Sequence, residues 1–197
     1  MTLEGEIGLK LILGSGSPRR KDILNLFNLR YDVEISNVEE SINESFSPQI
    51  NSMYNAYIKG ADIKSHNKDC IVLAADTIVQ LEGRILLKPR NEDEAVFMLK
   101  SLSGKSHSVI TGFAILSDTK KYVDYVETKV MFKEFDDIMI SKYVNTGEPL
   151  DKAGAYGIQG MGSILVEKIT GDYFNVVGLP ISKVADVLKT HFDFDLF

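Results

Sequence analysis

Six consecutive residues, Cys70-Ile71-Val72-Leu73-Ala74-Ala75, are apolar, and the residue after them is an aspartate. A run that is continuous rather than alternating suits a β-strand covered on both faces, as in a sheet with helices packed on each side. It delivers Asp76-Thr77 at its end, before Ile78-Val79-Gln80-Leu81. A carboxylate there is costly unless it meets a cation or accepts hydrogen bonds, which makes Asp76 a candidate metal ligand or general base. A solvated strand-end aspartate is the plain alternative.

Around that strand the pattern alternates between strands and helices. Residues 9–13 are a short apolar strand that turns at Gly14-Ser15-Gly16-Ser17-Pro18. Ser17 as N-cap and Pro18 at the first helical position predict a helix that fades near Asn28, with Ile23, Leu24 and Phe27 as its buried stripe. Residues 31–35 alternate as a strand, 36–46 form a polar loop, and the spacing of Ile50, Met53, Tyr54, Tyr57, Ile58 and Ala61 predicts the inner face of a helix from Pro48 to Ser65. Lys59 falls on the opposite, polar face.

Residues 85–87 return as a hairpin strand, and Asn91 with Glu94 caps a third helix whose stripe is Ala95, Met98, Leu99 and Leu102. Residues 106–116 and 121–135 read as a long antiparallel hairpin, and 136–145 as a helix. The glycine-rich stretch 147–162, a strand over 163–166 and a last helix opening at Leu179-Pro180 complete the pattern. The expected architecture is α/β, a mixed sheet flanked by helices with strand-end loops lining a cleft, in a single domain over 1–197.

Several function classes lose support. The net charge of −6 disfavours a general nucleic-acid binder, which usually shows a basic face. The one cysteine, Cys70, cannot form an intramolecular disulfide and suits a reduced, cytoplasmic setting. The acidic start, Met1 to Gly8, lacks the pattern of a secretory signal, and no apolar stretch reaches the ~18 residues of a membrane span. There is neither a P-loop nor a dinucleotide-binding glycine fingerprint, and His66, His107 and His191 show no ligand spacing. A hard, oxygen-liganded Mg²⁺ or Mn²⁺ therefore fits better than zinc.

The segment Gly14 to Arg20 has the outline of an anion site. Small residues, the hydroxyls of Ser15 and Ser17, a helix N-terminus and the guanidiniums of Arg19 and Arg20 fall within one turn. Lys59 and Lys88 are candidate phosphate partners, Lys88 because Pro89 holds it extended. Glu40 could add a metal oxygen from the acidic loop. Gln159, among four glycines and beside Tyr156, offers a donor and an acceptor suited to a base edge. Taken singly, each also suits a solvated surface group.

Together, Ser15-x-Ser17-Pro18-Arg19-Arg20, Ala75-Asp76-Thr77, Lys88-Pro89-Arg90, Leu102-Ser103-Gly104-Lys105-Ser106-His107 and the block from Asp151 to Gly160 resemble the Maf family of nucleotide pyrophosphatases. The resemblance implies an elongated, two-lobed fold of the inosine-triphosphatase-like type with a central cleft, metal dependence and often a homodimer. It further implies hydrolysis of a nucleoside triphosphate to the monophosphate and pyrophosphate. Tyr156-Gly157-Ile158-Gln159 resembles the branch that prefers dTTP and UTP.

By the same carry-over Asp76 matches the proton acceptor and Glu40 a carboxylate near the metal. Arg19, Thr77 and Gln159 match positions linked to substrate choice, while Arg20, Lys59 and Lys88 match phosphate-contacting residues. The family is also associated with inhibition of septum formation, so a nucleotide-sensing role in cell division is the rival expectation. Gly60 after Lys59 departs from the family, which usually has alanine there.

Overall fold

The computed structural model of the chain describes residues 9–197. The stretch 1–8, read above for a secretory signal, lies outside the described residues. The strands are β1 (Lys10–Gly14), β2 (Tyr31–Val33), β3 (Cys70–Leu81), β4 (Arg84–Leu86), β5 (Ser106–Leu116), β6 (Lys121–Phe132) and β7 (Val166–Thr170). The helices are α1 (Pro18–Asn25), α2 (Pro48–His66), α3 (Glu92–Leu102), α4 (Asp137–Val144), α5 (Tyr173–Val177) and α6 (Ile181–Phe192). Three short 3₁₀ helices occupy Glu148–Asp151, Ala153–Ala155 and Gly160–Leu165.

Among the described residues the strands form one seven-stranded sheet in the order β2-β1-β3-β5-β6-β7, with β4 pairing β3 off that path. β1 is parallel to both β2 and β3, and the remaining pairings are antiparallel. The sheet is mixed and flanked by helices, as expected. β3 is buried almost throughout, which its continuous apolar run requires.

Two features of β3 decide where a site can form. Asp76 does not end the strand; it lies in the middle of a 12-residue one. Along one edge, β1 covers β3 from Cys70 to Ala74 and β4 covers it from Val79 to Leu81, while β5 occupies the other edge from Val72 to Gln80. Residues 75–78 are left without a strand partner on the first edge. The sheet opens there, so a carboxylate in mid-strand can still reach a cavity.

Two apolar cores lie on the side of β3 that carries its odd-numbered residues. One joins β1, the first half of β3, α1 and α6 through Leu13, Ile71, Leu73 and Leu188. The other joins the far half of β3 to α3, α4 and the glycine-rich stretch through Val79, Leu99, Tyr143 and Tyr156. These are the two lobes, and the gap in β3 falls between them.

α2 packs on the opposite side, and here the expected face is wrong. Its buried residues are Asn51, Ser52, Asn55, Ala56, Gly60 and Ile63, whereas Ile50 and Tyr54 are about half exposed. Between Ser52 and Gly60 the helix lies too close to the sheet for large apolar side chains, and only toward its end does Ile63 pack against Ile12 and Val72. Gly112, paired with Asp76 across β3 and β5, touches it so closely that a Cβ there would sit 2.3 Å from the Ser52 carbonyl carbon. Gly60, the departure from the family pattern, likewise faces Leu116 and Ala74 at near-contact distance.

Other expectations shift at their edges. β2 stops at Val33, the strand expected over 163–166 is largely 3₁₀ helix with β7 beginning at Val166, and α5 was not anticipated. Ser17 precedes α1 as expected, but its side chain makes no capping bond. Asn91 does cap α3, accepting from the Glu94 amide, and Ala95, Met98, Leu99 and Leu102 are buried. Cys70 is a buried free thiol. Among the described residues no helix is long and apolar enough to cross a membrane.

Candidate active site

A cleft of about 930 Å³ opens at the gap in β3. Ser15, Ser17, Arg19, Arg20, Glu40, Lys59, Asp76, Thr77, Lys88 and Gln159 all line it. Residues separated by up to 144 positions in the chain thus converge on one cavity, although their roles rest on chemistry and not on proximity alone.

At the floor, Asp76 Oδ1 accepts from Lys59 Nζ at 2.9 Å and Oδ2 accepts from Asn55 Nδ2 at 3.2 Å. Lys59 also donates to Glu40 Oε1 at 2.8 Å. Lys59 therefore does not face solvent: it lies opposite the apolar stripe of α2, but the polar face is the one turned to the sheet. Asn51, Asn55 and Lys59 recur at helical spacing, and that polar stripe is the signal by which Asn55 could have been found. Burial alone would push the Glu40 carboxyl up, but the charge and hydrogen bond of Lys59, with Lys88 and Arg20 beyond, hold it below the ordinary range.

Arg20 is fixed from three sides. Its Nε donates to the Gly178 carbonyl at 2.7 Å, Nη1 to Ser15 Oγ at 3.0 Å and Nη2 to Thr77 Oγ1 at 3.2 Å. Burial pushes its pKa down while Asp76 and Glu40 draw it back up. Thr111 donates to the Asn175 carbonyl at 2.9 Å, which uses its one hydroxyl proton. Thr77 must then be the donor in the 3.0 Å contact between the two threonines. The Thr77 proton points inward, and its oxygen holds Arg20. α5, missed in the sequence because it is one turn long, supplies Asn175 to this chain of bonds.

At the cleft mouth Arg19 Nη1 donates to Asp151 Oδ2 at 3.0 Å, joining α1 to the glycine-rich stretch. Burial raises the Asp151 carboxyl, and bonds from Lys152 and Arg19 outweigh this and lower it. Gln159 is exposed in the cleft lining, and Lys88 is exposed on its rim. Of the histidines, His66 and His191 are exposed, whereas His107 is buried with Nε2 2.7 Å from the Tyr156 hydroxyl. Burial pushes its imidazole down to about 4, so it is neutral near pH 7. Among the described residues no group of three or more His, Cys, Asp or Glu side chains is arranged to hold a metal.

Comparison with known proteins agrees with this arrangement. Residues 10–191 match the Maf family, described as Maf-like protein. A protein of Bacillus cereus (strain G9842) named dTTP/UTP pyrophosphatase is 51% identical over 95% of this chain and 97% of its own length. Proteins of the same name from Bacillus pumilus (strain SAFR-032) and Clostridioides difficile (strain 630) are 49% and 46% identical, over 92% and 96% of this chain and 96% and 98% of theirs. Among solved structures, a HAM1 protein from Coxiella burnetii superposes with a TM-score of 0.52 at 15% identity, covering 92% of this chain and 99% of that one, a likeness of fold. The family match spans both lobes and every cleft residue named above, and on that ground the chain belongs to the Maf family.

Proposed function

We propose that this chain hydrolyses a nucleoside triphosphate to the monophosphate and pyrophosphate, with dTTP and UTP as preferred substrates. The observation that carries the reading is the Lys59-Asp76 pair, set at an opening of the sheet in a cleft that Arg20 and Lys88 also line. The names of the relatives support the same activity.

Asp76, its carboxylate oriented by Lys59 and Asn55, takes a proton from a water molecule. The water oxygen bonds to the α-phosphorus, the bond from that phosphorus to the bridging oxygen breaks, and pyrophosphate leaves with the bonding electrons. Arg20 and Lys88 bind the triphosphate, with the start of α1, whose amides carry no side-chain cap from Ser17, adding donors. Reactions of this class ask the protein mainly for positioning and charge stabilisation, which is why cations outnumber nucleophiles here. Gln159 reads the edge of the pyrimidine.

The donor set fits a hard divalent ion. Glu40 and Asp76 share one ammonium, so the trio keeps a net negative charge, and both offer oxygens beside the triphosphate path. Mg²⁺ or Mn²⁺ held by Glu40, Asp76 and phosphate oxygens would neutralise charge on the phosphates.

The test is a panel of canonical and modified nucleoside triphosphates assayed for pyrophosphate release with each metal. Faster release from dTTP and UTP than from purine nucleotides is expected. Nucleotide binding without pyrophosphate release would overturn the reading in favour of a sensing role in cell division.

A further inference from the structure

Gln159 sits on a segment with few side chains of its own to hold it, since Gly157, Gly160 and Gly162 surround it. Two residues outside the cleft lining supply what is missing. Glu148 Oε1 accepts from the Tyr143 hydroxyl at 2.9 Å and from the Gly162 amide at 3.1 Å, and Oε2 accepts from the Met161 amide at 3.0 Å. The Tyr143 oxygen in turn accepts from the Gly157 amide at 3.1 Å. One tyrosine-glutamate pair thus holds the backbone on both sides of Gln159, two residues before it and two to three residues after it.

We infer that Tyr143 and Glu148 are positioning residues for base recognition, anchoring both flanks of the segment that presents Gln159 to the cleft. The inference rests on the reading of Gln159 as the group that contacts the base.

The glycines fit this account. A Cβ at Gly160 would lie 2.9 Å from Glu148 Oε2, and one at Gly162 would lie 2.4 Å from the Tyr143 hydroxyl. Gly160 also has φ near +69°, a conformation other residues rarely adopt. The stretch is glycine-rich because its main chain wraps a carboxylate and a phenol, where a flexible loop would need no such clearance. Tyr143 is 4% exposed, and burial pushes its hydroxyl up, so it stays protonated and remains a donor to Glu148. Tyr143 belongs to the core of the second lobe, packed beside α3 and Tyr156. The anchor therefore ties the recognition segment to the rigid part of the fold.

An anchor that only supports the fold would affect every substrate alike, whereas one that places Gln159 should affect discrimination between bases. The experiment compares Tyr143→Phe, which keeps the ring and removes the hydroxyl, and Glu148→Gln with Gln159→Ala. It measures kcat/KM for dTTP and UTP against ATP and GTP, together with amide exchange at Gly157, Met161 and Gly162. The pyrimidine-to-purine ratio should fall about five- to tenfold in both anchor variants, the worth of roughly one hydrogen bond, with faster exchange at the three amides. Saturated turnover of dTTP should stay within about twofold, because the Asp76 end of the cleft is untouched.

If Gln159→Ala lowers the ratio but neither anchor variant does, or if the anchor variants slow all nucleotides equally, the inference falls while the proposed activity stands. If Gln159→Ala leaves the ratio unchanged, the base-reading role falls and the inference falls with it.

Discussion

Lys59 and Asp76 form their ion pair with only 11% of either side chain exposed, and Lys59 spends its remaining reach on Glu40. Lys59→Met would leave two neighbouring carboxylates without their shared cation. Loss of one partner of a buried pair should destabilise the fold by about 3 kcal/mol, read as a lower urea midpoint. Added Mg²⁺ should then raise the melting temperature of the variant more than that of the wild type. An equal response in both proteins would argue against Glu40 and Asp76 as the ion's ligands.

Asp76→Asn keeps the shape of the side chain and its contact with Asn55 in outline but removes the proton acceptor. Pyrophosphate release should drop by roughly 10²- to 10⁴-fold, with an unchanged circular dichroism spectrum. Near-normal turnover would exclude Asp76 as the base.

Thr111→Val, a change of similar volume at a fully buried site, removes the acceptor that fixes the Thr77 proton. Thr77 would then be free to rotate away from Arg20. The expected result is a KM for the nucleotide raised about fivefold with kcat little altered, and recovery in Thr111→Ser. A direct role for Thr77 in substrate choice would instead leave Thr111→Val close to wild type.

His107 gives the fold a pH dependence. Its imidazole titrates at about 4 in the folded chain and near 6.5 when unfolded. Above pH 6.5 it is neutral in both states and contributes nothing. Between 6.5 and 4 the unfolded chain binds a proton that the folded chain refuses, so stability falls on acidification by up to about 1.4 kcal/mol per pH unit. Glu40 acts lower: its folded value lies beneath the ordinary 4.5, and its contribution is lost only as the pH drops through that depressed value. Urea midpoints at about pH 7 and 5 should show the decline in the wild type and a flatter profile in His107→Asn.

Gly112→Ala places a methyl group against the main chain of α2, 2.3 Å from the Ser52 carbonyl carbon. Since backbone cannot move aside as a side chain tip can, a loss on the order of 3 kcal/mol is expected in denaturant unfolding. Turnover should fall as well, because α2 carries Asn55 and Lys59 to Asp76.

Local chemistry made much of this legible in the sequence. The apolar run before Asp76 announced a central strand, and Asn91 with the Ala95 stripe announced α3 with its inner face correct. α2 was legible as a helix but not in its orientation: Ile50 and Tyr54 look like core residues, yet the sheet presents Ala74 and Gly112 to the helix, and small residues, Ser52, Ala56 and Gly60, make the closest approach. Which face a helix buries depends on its partner's relief, and that is not written in the helix itself. Asn55, Thr111 and Asn175 escaped notice for a related reason. Each acts through a neighbour distant in the chain; Asn55 at least shares a helical spacing with Asn51 and Lys59, whereas Thr111 and Asn175 carry no spacing to reveal them.

Residues 75–78 of β3 have no strand partner on the edge between β1 and β4, and of these Asp76, Thr77 and Ile78 line the cleft. Point substitution can retune what Gln159 or Arg19 admits, whereas Asp76 and Thr77 are each tied to side chains on other elements, Lys59 and Asn55 for one and Arg20 and Thr111 for the other. Change at the rim can accordingly proceed one residue at a time, while change along the gap in β3 must be matched by several partners at once.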